Sequence, residues 1–162
     1  LILNKEGQVE PRKNDTIDKY IFCYGRNYRE AVRAYYKITG SVPLIPRFAL
    51  GNWWSRYKAY TQQEYTDLMI RFIDSDIPIT VATIDMDWHW VNVKEKFKNQ
   101  YDSANKGLFQ KPGWTGYSWN TDLFPDYKGL LKWLHEKKFH VTVNLHPAQG
   151  VRTFEVMYEQ MG

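Results

Sequence analysis

Two carboxylates stand two residues apart in Thr83-Ile84-Asp85-Met86-Asp87-Trp88-His89-Trp90. They follow residues 79–84, an unbroken run of apolar and β-branched side chains such as fills a strand buried on both faces. On a chain that stays extended, side chains two apart point the same way. Asp85 and Asp87 are therefore expected together at the C-terminal end of a strand, where α/β folds place their ligands. A carboxylate there can accept hydrogen bonds from two adjacent sugar hydroxyls. Trp88 and Trp90 would add apolar ring faces. The structural alternatives are that Asp85 caps the next turn and that Asp87 pairs with a lysine. A second cluster, Asn144-Leu145-His146-Pro147-Ala148, ends another strand-like run. Thr142, Asn144 and His146 share one face there, opposite Val141, Val143 and Leu145. A polar stripe inside a barrel needs partners, because an unpaired buried polar group costs about 1–3 kcal/mol. A bound sugar is one such partner, and a neighbouring carboxylate satisfying His146 is another.

Two further stretches combine aromatics with polar groups. Asn52-Trp53-Trp54-Ser55-Arg56-Tyr57 ends a short strand, where the rings either wall a pocket or pack against a preceding β domain. Gly113-Trp114-Thr115-Gly116-Tyr117-Ser118-Trp119-Asn120 reads as a lid or substrate wall, or as a loop packing on its own side chains. No glycine-rich phosphate loop and no G-x-S-x-G elbow is present. His89, His135, His140 and His146 lack ligand spacing, and one cysteine, Cys23, excludes a multi-cysteine zinc site and an internal disulfide framework. Neither a metal nor a cofactor is expected.

The elements that must carry these residues follow from periodicity. Residues 1–24 read as β, with Tyr20, Phe22 and Tyr24 alternating against Ile21 and Cys23. Asn27 caps a helix over 28–39 that Gly40 stops, and Pro43 and Pro46 punctuate an extended stretch. Phe48 to Trp53 reads as a short strand. Thr61-Gln62-Gln63-Glu64 is a capping box for a helix ending near 74–76. Residues 89–119 form a long polar and aromatic loop, too long for a bland connection. Pro125 and Asp126 open a helix bearing Leu130, Leu131, Trp133 and Leu134, and Phe139 to Leu145 is a third strand. Strand, helix, strand, helix, strand implies right-handed βαβ units and a parallel sheet.

The chain has 162 residues, 43% hydrophobic and 25% charged, as in an ordinary globular protein. That length is short of the roughly 250 residues of a closed (β/α)8 barrel. The expected fold class is therefore α/β, the first three strands of a partial TIM barrel; a small open sheet is the alternative. The apolar third strand favours the barrel, since it would otherwise leave a naked edge. No apolar run is long enough for a transmembrane helix, and no membrane partner is expected. The start at Leu1, without Met or a signal peptide, suggests a segment of something longer. The sequence leaves the compartment open; Asn14-Asp15-Thr16 matches a glycosylation sequon that is too short to be decisive. Net charge is +4, with 22 basic residues spread among 18 acidic ones, so a nucleic-acid footprint is weak. Aromatics are high at 17%, which suits both sugar rings and cores.

Taken in order, these residues resemble glycoside hydrolase family 31. The resemblance rests on Pro43-Leu-Ile-Pro46-Arg-Phe-Ala-Leu-Gly51, then Ser55-Arg56-Tyr57, Ile84-Asp85-Met86-Asp87, Trp119-Asn120, Leu123-Phe124-Pro125-Asp126 and His146-Pro147. It implies three segments: 1–24 as the end of an N-terminal β-sandwich, 25–46 as a linker helix with an extended lead-in, and 47–162 as the first part of the catalytic barrel. It implies that Tyr57 lines the subsite of the cleaved sugar, that Asp85 binds its hydroxyls, and that Met86 is the apolar neighbour. Asn144 stands at a position commonly apolar, and His146 replaces an Asp before Pro. These departures, and a long loop after Asp87, imply a sugar other than a plain α-glucoside.

The resemblance implies a retaining enzyme, whose two carboxyl groups lie about 5–5.5 Å apart. In the family both come from later strands, so no catalytic residue is expected here. Asp85, Asp87 and Trp88 are assigned to substrate binding, and the chain alone is expected to be inactive. The rest of the barrel is expected to pack on it. The alternative is a stand-alone carbohydrate-binding or degenerate module.

Overall fold

The computed structural model describes Lys5, Ile17, Lys19–Lys98 and Gly113–Met161. The sequon and most of residues 1–24 lie outside the described residues. The chain divides into two compact units, Leu1–Leu44 and Ile45–Gly162.

In the first unit, helix α1 spans Tyr28–Thr39. The Asn27 side chain accepts from the Glu30 N–H, and Gly40 at φ 86° donates its N–H to the Tyr36 carbonyl. Both ends are as the sequence reads. Residues 19–24 form no strand, contrary to the alternation of Tyr20, Phe22 and Tyr24. Alternation describes a strand only where a partner supplies its ladder, and no other segment of this unit does so among the described residues. Phe22 instead sets its ring edge-on against Tyr35, centroids 6.2 Å apart.

The second unit is a parallel three-stranded sheet in the order β1-β2-β3, formed by Asn52–Trp54, Ile79–Ile84 and His140–Val143. Arg47–Leu50 is a 3-10 turn rather than the start of β1. The short apolar run there cannot distinguish strand from helical turn by period alone. Gly51 lets the turn meet β2 closely: a Cβ on it would fall 2.3 Å from Thr80 Oγ1. That hydroxyl bonds the Phe48 and Asn52 carbonyls at 3.0 and 3.1 Å.

Helix α2, Gln62–Asp74, crosses from β1 to β2, and α4, Tyr127–Glu136, from the long loop to β3. The capping box at Thr61 and Glu64 is formed in both directions. Tyr65 and Met69 of α2 and Leu130 and Leu134 of α4 pack with Ala82 and Ile84 of β2, sealed by Phe124 and Phe139. The core thus lies between the sheet and its helices. Buried Tyr65 donates its hydroxyl to the Thr83 carbonyl at 3.0 Å, and burial pushes that phenol well above its ordinary pKa. Trp54 turns against Phe72 of α2, 5.0 Å between centroids, so this ring packs on its own unit's helix. No described helix is long and apolar enough to cross a membrane. Two short helices complete the unit, α3 at Val93–Lys96 and α5 at Tyr158–Met161.

Candidate functional site

The helices cover one face of the sheet; the other carries Thr83, Asp85, Thr142 and Asn144. The two threonines join hydroxyl to hydroxyl at 2.8 Å across β2 and β3. One step further, Asn144 Nδ2 donates to Asp85 Oδ1 at 2.8 Å. Two of the three residues of the expected polar stripe, Thr142 and Asn144, are thus satisfied within the chain. Asp85 does not continue the strand. Its Oδ1 also accepts the Met86 N–H at 2.6 Å and caps a 3-10 turn, Met86–Trp88. Both bonds fall on Oδ1, which orients the carboxylate.

The turn corrects the expectation that Asp85 and Asp87 point one way. Asp87 faces a separate cleft of about 470 Å³, shared with Trp90, Lys96, Asn120 and Asp122. Burial first, and the nearby Asp85 second, raise its carboxyl above the ordinary value. No lysine pairs with it among the described residues; Lys96 pairs with Asp122 at 2.6 Å and lies 4.6 Å over the Trp90 ring. Trp88 is also repositioned. It is 6% exposed, lies edge-on to Trp119 at 5.2 Å, and donates Nε1 to the Asn144 carbonyl at 2.7 Å. Its ring braces the site from within rather than opening to a ligand. Met86 is buried beside it.

His146 extends the stripe, and its surroundings were not legible from spacing. Trp114 tilts against its ring with centroids 4.3 Å apart, and Thr115 donates its hydroxyl to the His146 carbonyl. Behind lies His89, wholly buried, with Nδ1 donating to the Trp90 carbonyl at 3.1 Å. Burial above all lowers the His89 pKa, and His146 nearby lowers it further, while Trp90 and Asp85 oppose. A neutral His89 follows, its lone pair on Nε2. That atom and His146 Nδ1 are buried without a hydrogen-bond partner among the described residues. The one sequence signal for His89 was its place two residues beyond Asp87, on a segment spent mostly on tryptophans.

The loop expected as a wall holds these pieces together. Trp119 bridges His89 in antiparallel fashion, the Asn120 N–H reaches the Trp88 carbonyl at 2.8 Å, and Gly116 lies against the His89 ring. Tyr57 stands apart: it is 70% exposed, and no hydrogen bond or ring contact joins it to Asp85 or Asn144. No group of three His, Cys, Asp or Glu side chains forms a metal site among the described residues.

Residues 42–161 match the description "Glycosyl hydrolases family 31 TIM-barrel domain". The chain belongs to glycoside hydrolase family 31. Its three-stranded parallel sheet is the opening part of that family's barrel. An alpha-xylosidase of Saccharolobus solfataricus is 26% identical over 137 residues, 85% of this chain and 16% of the relative. Alpha-glucosidase 2 of Bacillus thermoamyloliquefaciens is 28% identical over 144 residues, 89% of this chain and 15% of the relative. A solved cycloalternan-degrading enzyme from Trueperella pyogenes has a TM-score of 0.45 at 22% identity, covering 70% of this chain and 16% of that one. This family 31 chain therefore spans about one sixth of the length of the relatives it matches. Those two relatives are glycosidases by name.

Proposed function

We propose that the chain supplies part of the sugar subsite of a retaining α-glycoside hydrolase, with Asp85 accepting hydroxyls of the sugar whose bond is cleaved. The observation that carries this is the Asp85 carboxylate at the end of β2, with Oδ1 held by Asn144 and Met86. An acceptor oriented before binding makes its contact without reorganising. Asn144 acts as its positioning residue, and His146 offers a second polar contact on the same stripe. Tyr57 and Met86 are proposed to line the subsite, and Asp87 to contribute from the adjoining cleft. Trp88 acts through Asn144.

The nucleophile and the acid are proposed to come from the same barrel outside this chain. Asp85 is not assigned to either role, because its sequence context resembles the family's substrate-binding motif and not its nucleophile motif. The chain alone is then inactive, since removing the activated nucleophile removes most of the rate. The alternative, a binding module without chemistry, would bind sugars and turn none over.

The test is Asp85→Asn in the complete protein, assayed on p-nitrophenyl α-glucoside, α-xyloside and α-galactoside. The amide can keep its acceptor on Met86 and Asn144 but replaces the free acceptor with a donor. A tenfold or greater loss in kcat/KM is expected, about 1.4 kcal/mol. Unchanged kinetics on a substrate that the parent enzyme cleaves would remove the assignment.

A further inference from the structure

We propose that Trp114 is a platform for the apolar C–H face of a pyranose ring, and that it sets which sugar the Asp85–Asn144–His146 stripe accepts. The proposal deepens the reading above and rests on it. A sugar has two kinds of surface: hydroxyls around its rim, and faces of C–H bonds that pack on aromatic rings. The stripe supplies polar partners for the rim. Asp85 has an oxygen to offer, and His146 Nδ1 is buried without a partner among the described residues. A flat apolar surface at the same place would complete the recognition. Trp114 stands there, its ring 4.3 Å from that of His146 and tilted by 44°. It retains 38% exposure, where the neighbouring Thr115 and Ser118 are buried at 1% and 5%.

The exposure is built rather than incidental. Thr115 fixes the backbone beside Trp114 by donating to the His146 carbonyl and accepting the Gln149 N–H at 3.2 Å. The Tyr117 N–H is held by Glu155 at 3.1 Å, and the Ser118 hydroxyl by the Val156 N–H at 2.9 Å. Trp119 points inward against Phe124 and Tyr127. One tryptophan of this loop therefore secures it to the core while the other is left in contact with His146 and partly open. On this proposal the position is specificity-determining, because an indole held beside His146 favours a sugar whose C–H face reaches it while its hydroxyls meet the stripe.

The experiment uses the complete protein and two readouts: kinetics on p-nitrophenyl α-glucoside, α-xyloside and α-galactoside, and tryptophan-fluorescence titration with glucose, xylose and galactose. Trp114→Ala is expected to raise KM or Kd at least tenfold for the preferred sugar, with kcat changed less than threefold. Trp114→Phe, which keeps an aromatic face, is expected to recover most of the loss and to shift the ranking of the three sugars. Wild-type affinity in Trp114→Ala overturns the proposal. So does a loss that Trp114→Phe fails to recover together with a lowered Tm, which would make the ring a structural prop. A parent protein that binds sugars through Trp114 yet cleaves none leaves the platform standing and removes the hydrolase reading. Absence of both binding and cleavage removes both.

Discussion

Removing Asn144 and Asp85 singly and together tests whether they act as one unit. Asn144→Ala deletes the Nδ2–Oδ1 bond and leaves the backbone bonds of residue 144 in place, its N–H to the Ile84 carbonyl at 3.1 Å and its own carbonyl from Trp88 at 2.7 Å. A hydrogen bond to a charged group contributes about 1.5–3 kcal/mol, and partial exposure of both side chains brings this to about 1–1.5 kcal/mol. Asp85→Ala deletes the same bond and also the cap on the 3-10 turn, a further loss of about 1 kcal/mol. The single losses then sum to about 3–4 kcal/mol, whereas the double variant, which can lose the shared bond once, should lose about 2–2.5 kcal/mol. Denaturant unfolding of the complete protein, followed by tryptophan fluorescence, measures the three differences. A coupling of about 1–1.5 kcal/mol is expected, and additivity within about 0.5 kcal/mol would refute the claim that Asn144 positions Asp85.

The burial of His89 makes stability fall in mild acid. Its folded pKa is below its unfolded one, so the unfolded chain binds more protons below about pH 6.5, and stability declines as pH drops from there. Thermal melts at pH 7.5 and 5.5 should show a drop in Tm that His89→Phe reduces; equal drops in both proteins would contradict this. Gly116→Ala would place a Cβ 2.2 Å from His89 Nδ1, and the enclosed ring has nowhere to retreat. A loss of about 1–3 kcal/mol, seen as a lower Tm, is expected, and an unaltered Tm would show that the loop can move aside.

What the sequence made legible was local. The capping box at Thr61, the continuous apolar run of β2 and the Asn27 and Gly40 stops each depend on residues within four positions, and each appears where spacing puts it. The parallel order followed from the alternation of strands and helices. Failures came where one residue type serves two geometries. A carboxylate after a strand can continue it or cap a turn; Asp85 caps, and the turn carries Asp87 into another cleft and Trp88 into the core. Phe48 and Ala49 suit a strand or a 3-10 turn equally. Trp114 and Thr115 meet His146 through contacts spanning 31 residues and more, and Gly116 meets His89 across a long loop, which no short-range pattern encodes.

The wiring of residue 144 separates two properties that usually change together. Its place is fixed by the Ile84 carbonyl and the Trp88 indole, and both act on its backbone. Its chemistry is carried by its side chain alone. Mutation at this codon therefore exchanges the side chain that meets Asp85 without dislodging the strand end that carries it. On the proposed subsite, such a position can change sugar preference one substitution at a time, and a saturation library at 144 is a compact place to test that.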